Sequence, residues 1–262
     1  MSCTRRTFLL GAAGMAGGWR SLFDGHTLAG WDDPGRRSPV GDSWAVRDGW
    51  IVSTPKPRLR EDLLTKEEFG DFELSFEWRL ERGSNTGVKY RVQECVFLDL
   101  SKMPRGMVSI QDQLAYEIKN RVSNRGAVAD ATAAKDYSIG FEFQILDDAV
   151  HPDASARGGK HATGALYDMY APLAKPARPA GEVNASRLIV RGDAVQHWIN
   201  GVKALDARLD TTVVREGLRA RWGSDHPVFR WLTDPSRKRG RIALQHHGDR
   251  ACFRNLRIRE LT

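Results

Sequence analysis

The stretch FEFQILDDAVHPD, residues 141–153, sets apolar side chains at every second place and then gathers two aspartates, a histidine and a third aspartate. If Phe141, Phe143 and Ile145 turn to a core, strand alternation sends Glu142 and Gln144 to the opposite face, roughly 7 Å apart along the chain. An acid and an amide so placed either hold the hydroxyls of a polar ligand or form a solvated outer face. Asp147, Asp148 and His151 follow where the strand ends. They suit base and acid roles in proton transfer, oxygen ligation of a hard cation such as calcium, or plain turn formation ahead of Pro152.

Other polar groups recur in short motifs. Tyr167 in GALYDMYAP puts a hydroxyl beside the carboxylate of Asp168, for ligand contact or for core packing. His197 in VQHWINGVK lies between Val195 and Ile199 on one parity, which suits a core histidine as well as a binding one. Asn200 opens an Asn-Gly turn, and Lys203 and Arg91 offer cations that serve either a developing negative charge or the solvated surface. His246 and His247 are neighbours at a strand end, so alternation sends them to opposite faces unless a bulge intervenes.

The elements that would position these groups are short strands. DFELSFEWRLER, residues 71–82, alternates apolar and polar side chains through five periods, and the turn chemistry of Gly83, Ser84 and Asn85 leads into a returning strand at 86–92. Further strands fall at 44–46, 50–53, 186–191, 194–199, 202–205, 241–245 and 252–259, with Asp48-Gly49, Gly192-Asp193 and Asn200-Gly201 as tight turns. Many short strands with few helical stretches predict an all-β antiparallel sandwich or barrel. Two regions break the pattern. Residues 94–137 read as a long insertion in which 110–122 fits helix or strand, and 209–238 fits a loop with a helical turn near 214–220.

The chain has 262 residues, 41% hydrophobic and 28% charged, enough for one domain spanning 21–262. A net charge of +7 and a pI near 9.5 raise the question of nucleic acid, but the arginines are mostly interspersed with acids. Only RKRGR at 237–241 is dense, and it leads into a strand, so it reads as a solvated turn or a small anion patch and no nucleic-acid partner is expected. Three cysteines, Cys3, Cys95 and Cys252, form no zinc pattern and leave at most a Cys95–Cys252 bridge. No run reaches the roughly 18 apolar residues of a membrane span. Residues 1–20, MSCTRRTFLLGAAGMAGGWR, have a basic start, paired arginines before Phe-Leu and a mildly apolar stretch, the layout of a twin-arginine export signal. Export to the periplasm or beyond is the expectation.

Taken in order, LFDGHTLAGW (22–31), DFELSFEWRL (71–80), SNTGVKYR (84–91), FEFQILDD (141–148), HATGALYDMYAP (161–172), PAGEVN (179–184), VQHWINGVK (195–203), IALQHHGD (242–249) and FRNLRIREL (253–261) resemble the 3-keto-disaccharide hydrolase family, also described as 3-keto-glucoside 1,2-lyases and hydratases. Where this chain has Val183 and His246, that family commonly has Trp and Asp. The resemblance implies a concanavalin-like β-sandwich of jelly-roll type acting on glycosides oxidised at C3. The 3-ketone acidifies C2–H, so the C1–O bond can break by β-elimination, and hydration of the enone completes a net hydrolysis. On this reading Glu142, Asp147, His151 and His247 are the acid/base candidates. Arg91, Gln144, Asp148, Tyr167, His197, Asn200 and Lys203 would bind substrate, with Lys203 and Arg91 near the enolate oxygen. The partner implied is a C3-oxidised carbohydrate. No cofactor is called for by the motifs, and a divalent cation such as calcium stays open. The rival readings are a non-catalytic carbohydrate-binding module on a lectin-like sandwich and an ordinary glycosidase with two flanking carboxylates.

Overall fold

A computed structural model describes residues 18–55, 57–128 and 133–262. Most of the export-signal reading, residues 1–17, lies outside the described residues. The strongest alternating run becomes β6 (Phe72–Leu80), in which Phe72, Leu74, Phe76, Trp78 and Leu80 are all buried. Burying each such side chain contributes about 1.5–3 kcal/mol, and that fixes which face of the strand is inner. The same parity governs β7 (Asn85–Asp99) and β8 (Ala134–Leu146), whose inward side chains include Val88, Tyr90, Phe141, Phe143 and Ile145.

The remaining strands are β1 (Arg20–Ser21), β2 (Trp31–Asp32), β3 (Trp44–Arg47), β4 (Trp50–Ser53), β5 (Leu63–Phe69), β9 (Asn184–Arg191), β10 (Ala194–Ile199), β11 (Val202–Arg208), β12 (Gly240–Leu244) and β13 (Ala251–Glu260). They form two antiparallel sheets packed face to face, the expected sandwich. One sheet has eight strands in the order β11-β10-β9-β6-β13-β4-β3, with β1 on β13, and the other has five in the order β2-β5-β12-β7-β8. Phe76 of the larger sheet meets Phe143 of the smaller edge to face at 6.0 Å between centroids, one of the contacts that close the core. Cys95 and Cys252 stand in different sheets and both are free thiols, so no bridge joins them.

The insertion is shorter than expected. The β7–β8 hairpin stays paired out to Asp99 and Ala134, so residues 94–99 and 134–137 are strand, not loop. Between them α1 (Ile110–Asn120) resolves the helix-or-strand ambiguity. Its N-cap Ser109 accepts from the Asp112 N–H, and Leu114 enters the core. Arg125, beyond the helix, pairs with Glu61 and Asp136, and Glu61 also meets Arg37, which clasps the insertion to the mouth of the smaller sheet. After a single turn at α2 (Ala156–Gly159), the second irregular region folds as two helices, α3 (Thr212–Trp222) and α4 (Pro227–Thr233), against the outer face of the smaller sheet.

His197 belongs to this core and not to a binding surface. Its ring is fully buried, stacks on Phe143 at 4.1 Å and 4°, and lies 3.0 Å through Nδ1 from the Gly164 carbonyl. Burial lowers its pKa from 6.5 to about 3, with the Gly164 and Ala165 carbonyls opposing. As pH falls below 6.5 the unfolded chain therefore takes the proton first, and the contribution of this histidine to stability is lost progressively towards pH 3, by about 1.4 kcal/mol per unit. His197→Asn keeps a donor for Gly164 but cannot titrate. Urea unfolding should show its stability loss between pH 7 and pH 5 to be smaller than that of the wild type by about 2 kcal/mol; equal losses would mean that the buried ring is not held neutral.

Candidate active site

Where the inner parity of β7 and β8 faces the core, the outer parity meets water under a roof of loops, and a polar cavity of about 210 Å³ lies there. Its floor is a cross-strand pair: Lys89 of β7 stands directly opposite Glu142 of β8 in the register. Both are enclosed. Lys89 is 5% exposed and donates to Asp62 Oδ2 at 3.1 Å, with the Tyr137 ring 5.1 Å away. Burial disfavours the ammonium, but the carboxylates of Asp62 and Glu142 outweigh it and hold the Lys89 pKa above the ordinary lysine value. At Glu142 burial dominates and raises the pKa, against the pull of Lys89 and Arg221, so this carboxyl is biased toward its protonated form. Gln144, fully buried, can turn its amide NH₂ to Glu142 Oε1 at 2.8 Å and to the Thr86 carbonyl at 3.1 Å. Gln245 donates to Glu142 Oε2 at 3.3 Å.

The walls come from loops. His247 follows β12, and burial lowers its pKa, with Asp249 opposing and Arg60, His151 and Lys89 adding to the effect, so its imidazole is neutral and able to accept a proton near pH 7. The His151 ring lies 6.5 Å from that of His247, at the rim. His246 lines the same cavity, because the two residues lie past the end of β12 and strand alternation no longer separates them. Its ring is occupied structurally: Nε2 lies 3.0 Å from the Thr54 carbonyl and Nδ1 accepts from the Gly248 N–H.

Opposite stands Tyr167, whose phenol burial pushes up to about 12, leaving its O–H intact as a donor. The ring is held from both sides, stacked on His161 at 4.1 Å and with the Arg221 guanidinium 4.8 Å from its centroid. Asp168, at φ 66°, ties these together by accepting from His161 Nε2 at 2.8 Å and pairing with Arg221. Arg221, from α3, also donates to the Tyr137 hydroxyl at 3.0 Å.

Of the sequence-derived candidates, Glu142, Gln144, Tyr167 and His247 meet in this cavity, with His151 beside it. The others do not. Asp147 accepts from the Gly83 and Ala149 N–H groups and pins the adjoining turn, while Asp148 accepts from the Thr163 N–H and lines a separate cleft. Asn200 is a turn residue at φ 49°, bonded to Pro176, Asn184 and Ala185. Lys203 pairs with Asp206 at 2.6 Å on the other sheet. Arg91 breaks the alternation of β7 with φ 49° at a register shift, and its guanidinium meets Asp193 and the Gly192 carbonyl in a different cleft. Residues missed by the sequence reading are Lys89, Asp62, Tyr137, His161 and Arg221. Lys89 was findable, as the one charge between Val88 and Tyr90; Arg221 was not, since only tertiary packing brings α3 here. Among the described residues no three His, Cys, Asp or Glu side chains are grouped to hold a metal ion.

A family model described as a 3-keto-alpha-glucoside-1,2-lyase-like domain matches residues 18–259. The chain belongs to this family. A relative from Bacteroides thetaiotaomicron VPI-5482 named 3-keto-disaccharide hydrolase is 28% identical over 258 residues, covering 94% of this chain and 79% of the relative. Two crystal structures from Parabacteroides distasonis ATCC 8503, both provisionally named glycosyl hydrolases, share the fold: one with TM-score 0.66 at 24% identity, covering 94% of each chain, the other with 0.57 at 21%, covering 93% of this chain and all of that one.

The cavity floor leaves no slack at Gly87, two residues before Lys89. A Cβ there would sit 2.8 Å from Glu142 Oε1 and 3.2 Å from the Phe143 carbonyl oxygen. Gly87→Ala should cost about 1–3 kcal/mol in chemical unfolding and lower turnover at least tenfold by displacing Glu142, with the far-ultraviolet circular dichroism unchanged; full activity would show that the carboxyl position is not demanding.

Proposed function

We propose that this protein is an enzyme that cleaves 3-keto-glycosides by elimination followed by hydration. The observation that carries the reading is the cross-strand pair of buried Lys89 and half-buried Glu142 sharing one cavity with a neutral His247. Elimination needs a base, an acid and a cation at three points around the sugar ring, and this cavity offers one of each.

In the proposed sequence the His247 imidazole takes the C2 proton. The C–H electrons form the C2–C3 double bond as the ketone becomes an enolate, whose oxygen is met by the Lys89 ammonium and the Tyr167 hydroxyl. The enolate then collapses, the C1–O bond breaks, and Glu142 gives its proton to the departing oxygen. The products are the free leaving group and an enone. Water adds at C1, surrendering a proton to Glu142, while the imidazolium of His247 returns one to C2. Net hydrolysis results with both residues restored. Gln144 and Gln245 orient Glu142, and His151 stands at the entrance. An ordinary glycosidase reading is less well supported, because Asp62 and Asp136 are engaged by Lys89 and Arg125, which leaves Asp153 as the one other carboxylate lining the cavity without an Arg or Lys partner among the described residues.

Released aglycone from a 3-keto-glucoside, with none from the unoxidised glucoside, is the expected result. Glu142→Gln and His247→Asn should each lower kcat at least a hundredfold while sugar binding changes less. A lectin without activity would keep binding and release nothing in the wild type. Arg20 is paired with Ile258 in the larger sheet, so the domain begins earlier than residue 21, and we also propose that the segment ahead of it acts as a twin-arginine signal taking the folded enzyme to the periplasm or beyond. Fusion to a folded reporter should show export that Arg5→Lys with Arg6→Lys abolishes; a reporter retained in the cytoplasm would refute it.

A further inference from the structure

One wall of the cavity carries two cations for which the proposed reaction has no use. Arg60 and Lys135 are joined by an isolated parallel bridge beside the start of β8, and both line the cavity with Glu142 and His247. Of the other carboxylates lining the cavity, Asp62 is committed to Lys89 and Asp136 to Arg125, while Asp153 lies 4.0 Å from His161 and pairs with neither cation. Among the described residues neither cation forms an ion pair, and the side chain of Arg60 donates only to the His247 carbonyl, at 3.3 Å. Burial and the charge of Arg60 together hold the Lys135 pKa below the ordinary lysine value, with no carboxylate offsetting them. Arg60 stands exposed at the cavity edge and Lys135 is half-buried, so their repulsion is modest, and a ligand anion would relieve it. A guanidinium fork matches carboxylate or sulfate oxygens with paired bonds, and a neutral hydroxyl offers no such complement.

We propose that Arg60 and Lys135 form an anion subsite that selects glycosides carrying a carboxylate or sulfate. The inference rests on the reading of this cavity as a sugar site. It narrows the substrate to an acidic glycone or an acidic leaving group and gives His247 a charged neighbour that a bound anion would neutralise.

The test is calorimetric binding to the full chain of methyl β-glucuronide and of methyl β-glucoside 6-sulfate, each against methyl β-glucoside. At least one anion should bind on the order of tenfold more tightly than the neutral sugar, and whichever does so identifies the group. Raised salt should shrink the preference. The double variant Arg60→Gln, Lys135→Gln should abolish it, with an unfolding midpoint no lower than the wild type because the repulsion is gone, and Arg60→Lys should retain part of it. Equal affinities, no measurable binding of either anion, or a preference that survives in the folded double variant would overturn the proposal. Binding is read without turnover. Failure to cleave 3-keto-glucosides would therefore remove the reaction while leaving this result to stand or fall by itself.

Discussion

The site depends on keeping one ammonium charged while it is almost shut off from water. An unpaired lysine at the position of Lys89 would lose several kcal/mol of solvation and shed its proton. Asp62 prevents this, and the order of the smaller sheet brings Asp62 within reach. Lys89 and Asp62 belong to segments separated by β12, whose Ala243 pairs with Lys89 on one side and with Leu64 on the other. A residue as small as alanine lets the lysine cross the intervening strand. Glu142 stands across the strand pair from an ammonium whose charge is already secured, and burial rather than a salt bridge dominates its raised pKa.

The loops around the pair are held by charge as well as by packing. Arg125 reaches from the insertion to Glu61 and Asp136, and Arg37 meets Glu61 and Asp33 from the preceding loop. Breaking such a buried network by removing one member leaves uncompensated charge, which makes it a stiff fastening even where its net contribution to stability is small. On the opposite wall, the His161–Asp168–Arg221 chain holds Tyr167 between two planar groups. Cavity shape is thus set by polar contacts between segments distant in sequence.

That division explains what was legible in the sequence. Period-two alternation revealed β6, the core faces of β7 and β8, and the shared face of Glu142 and Gln144, because burial of apolar side chains enforces it residue by residue. β5 was not seen, since Lys66, Glu67 and Glu68 interrupt its pattern where the strand is exposed. Parity also misled where backbone geometry departs from the regular strand. Arg91 shares its parity with Lys89 but sits at a bulge, and His246 and His247 lie beyond the strand end. Asp147, Asp148 and Asn200 have side chains that suit catalysis and turns equally, and nothing local separates the two uses. Of the nine segments that carry the family resemblance, four line the cavity, and the resemblance does not tell which residue in each faces it.

Gly87 carries a consequence on a different scale. Because Glu142 Oε1 occupies the space that a methyl group at residue 87 would need, the two positions are one unit of inheritance. A methyl group at 87 would push the Glu142 carboxyl from its present place, whereas an aspartate, one methylene shorter, would free that space and withdraw the carboxyl from the cavity. Change at either position is therefore felt at the other, and a larger residue at 87 would relocate the acid rather than leave it where it stands.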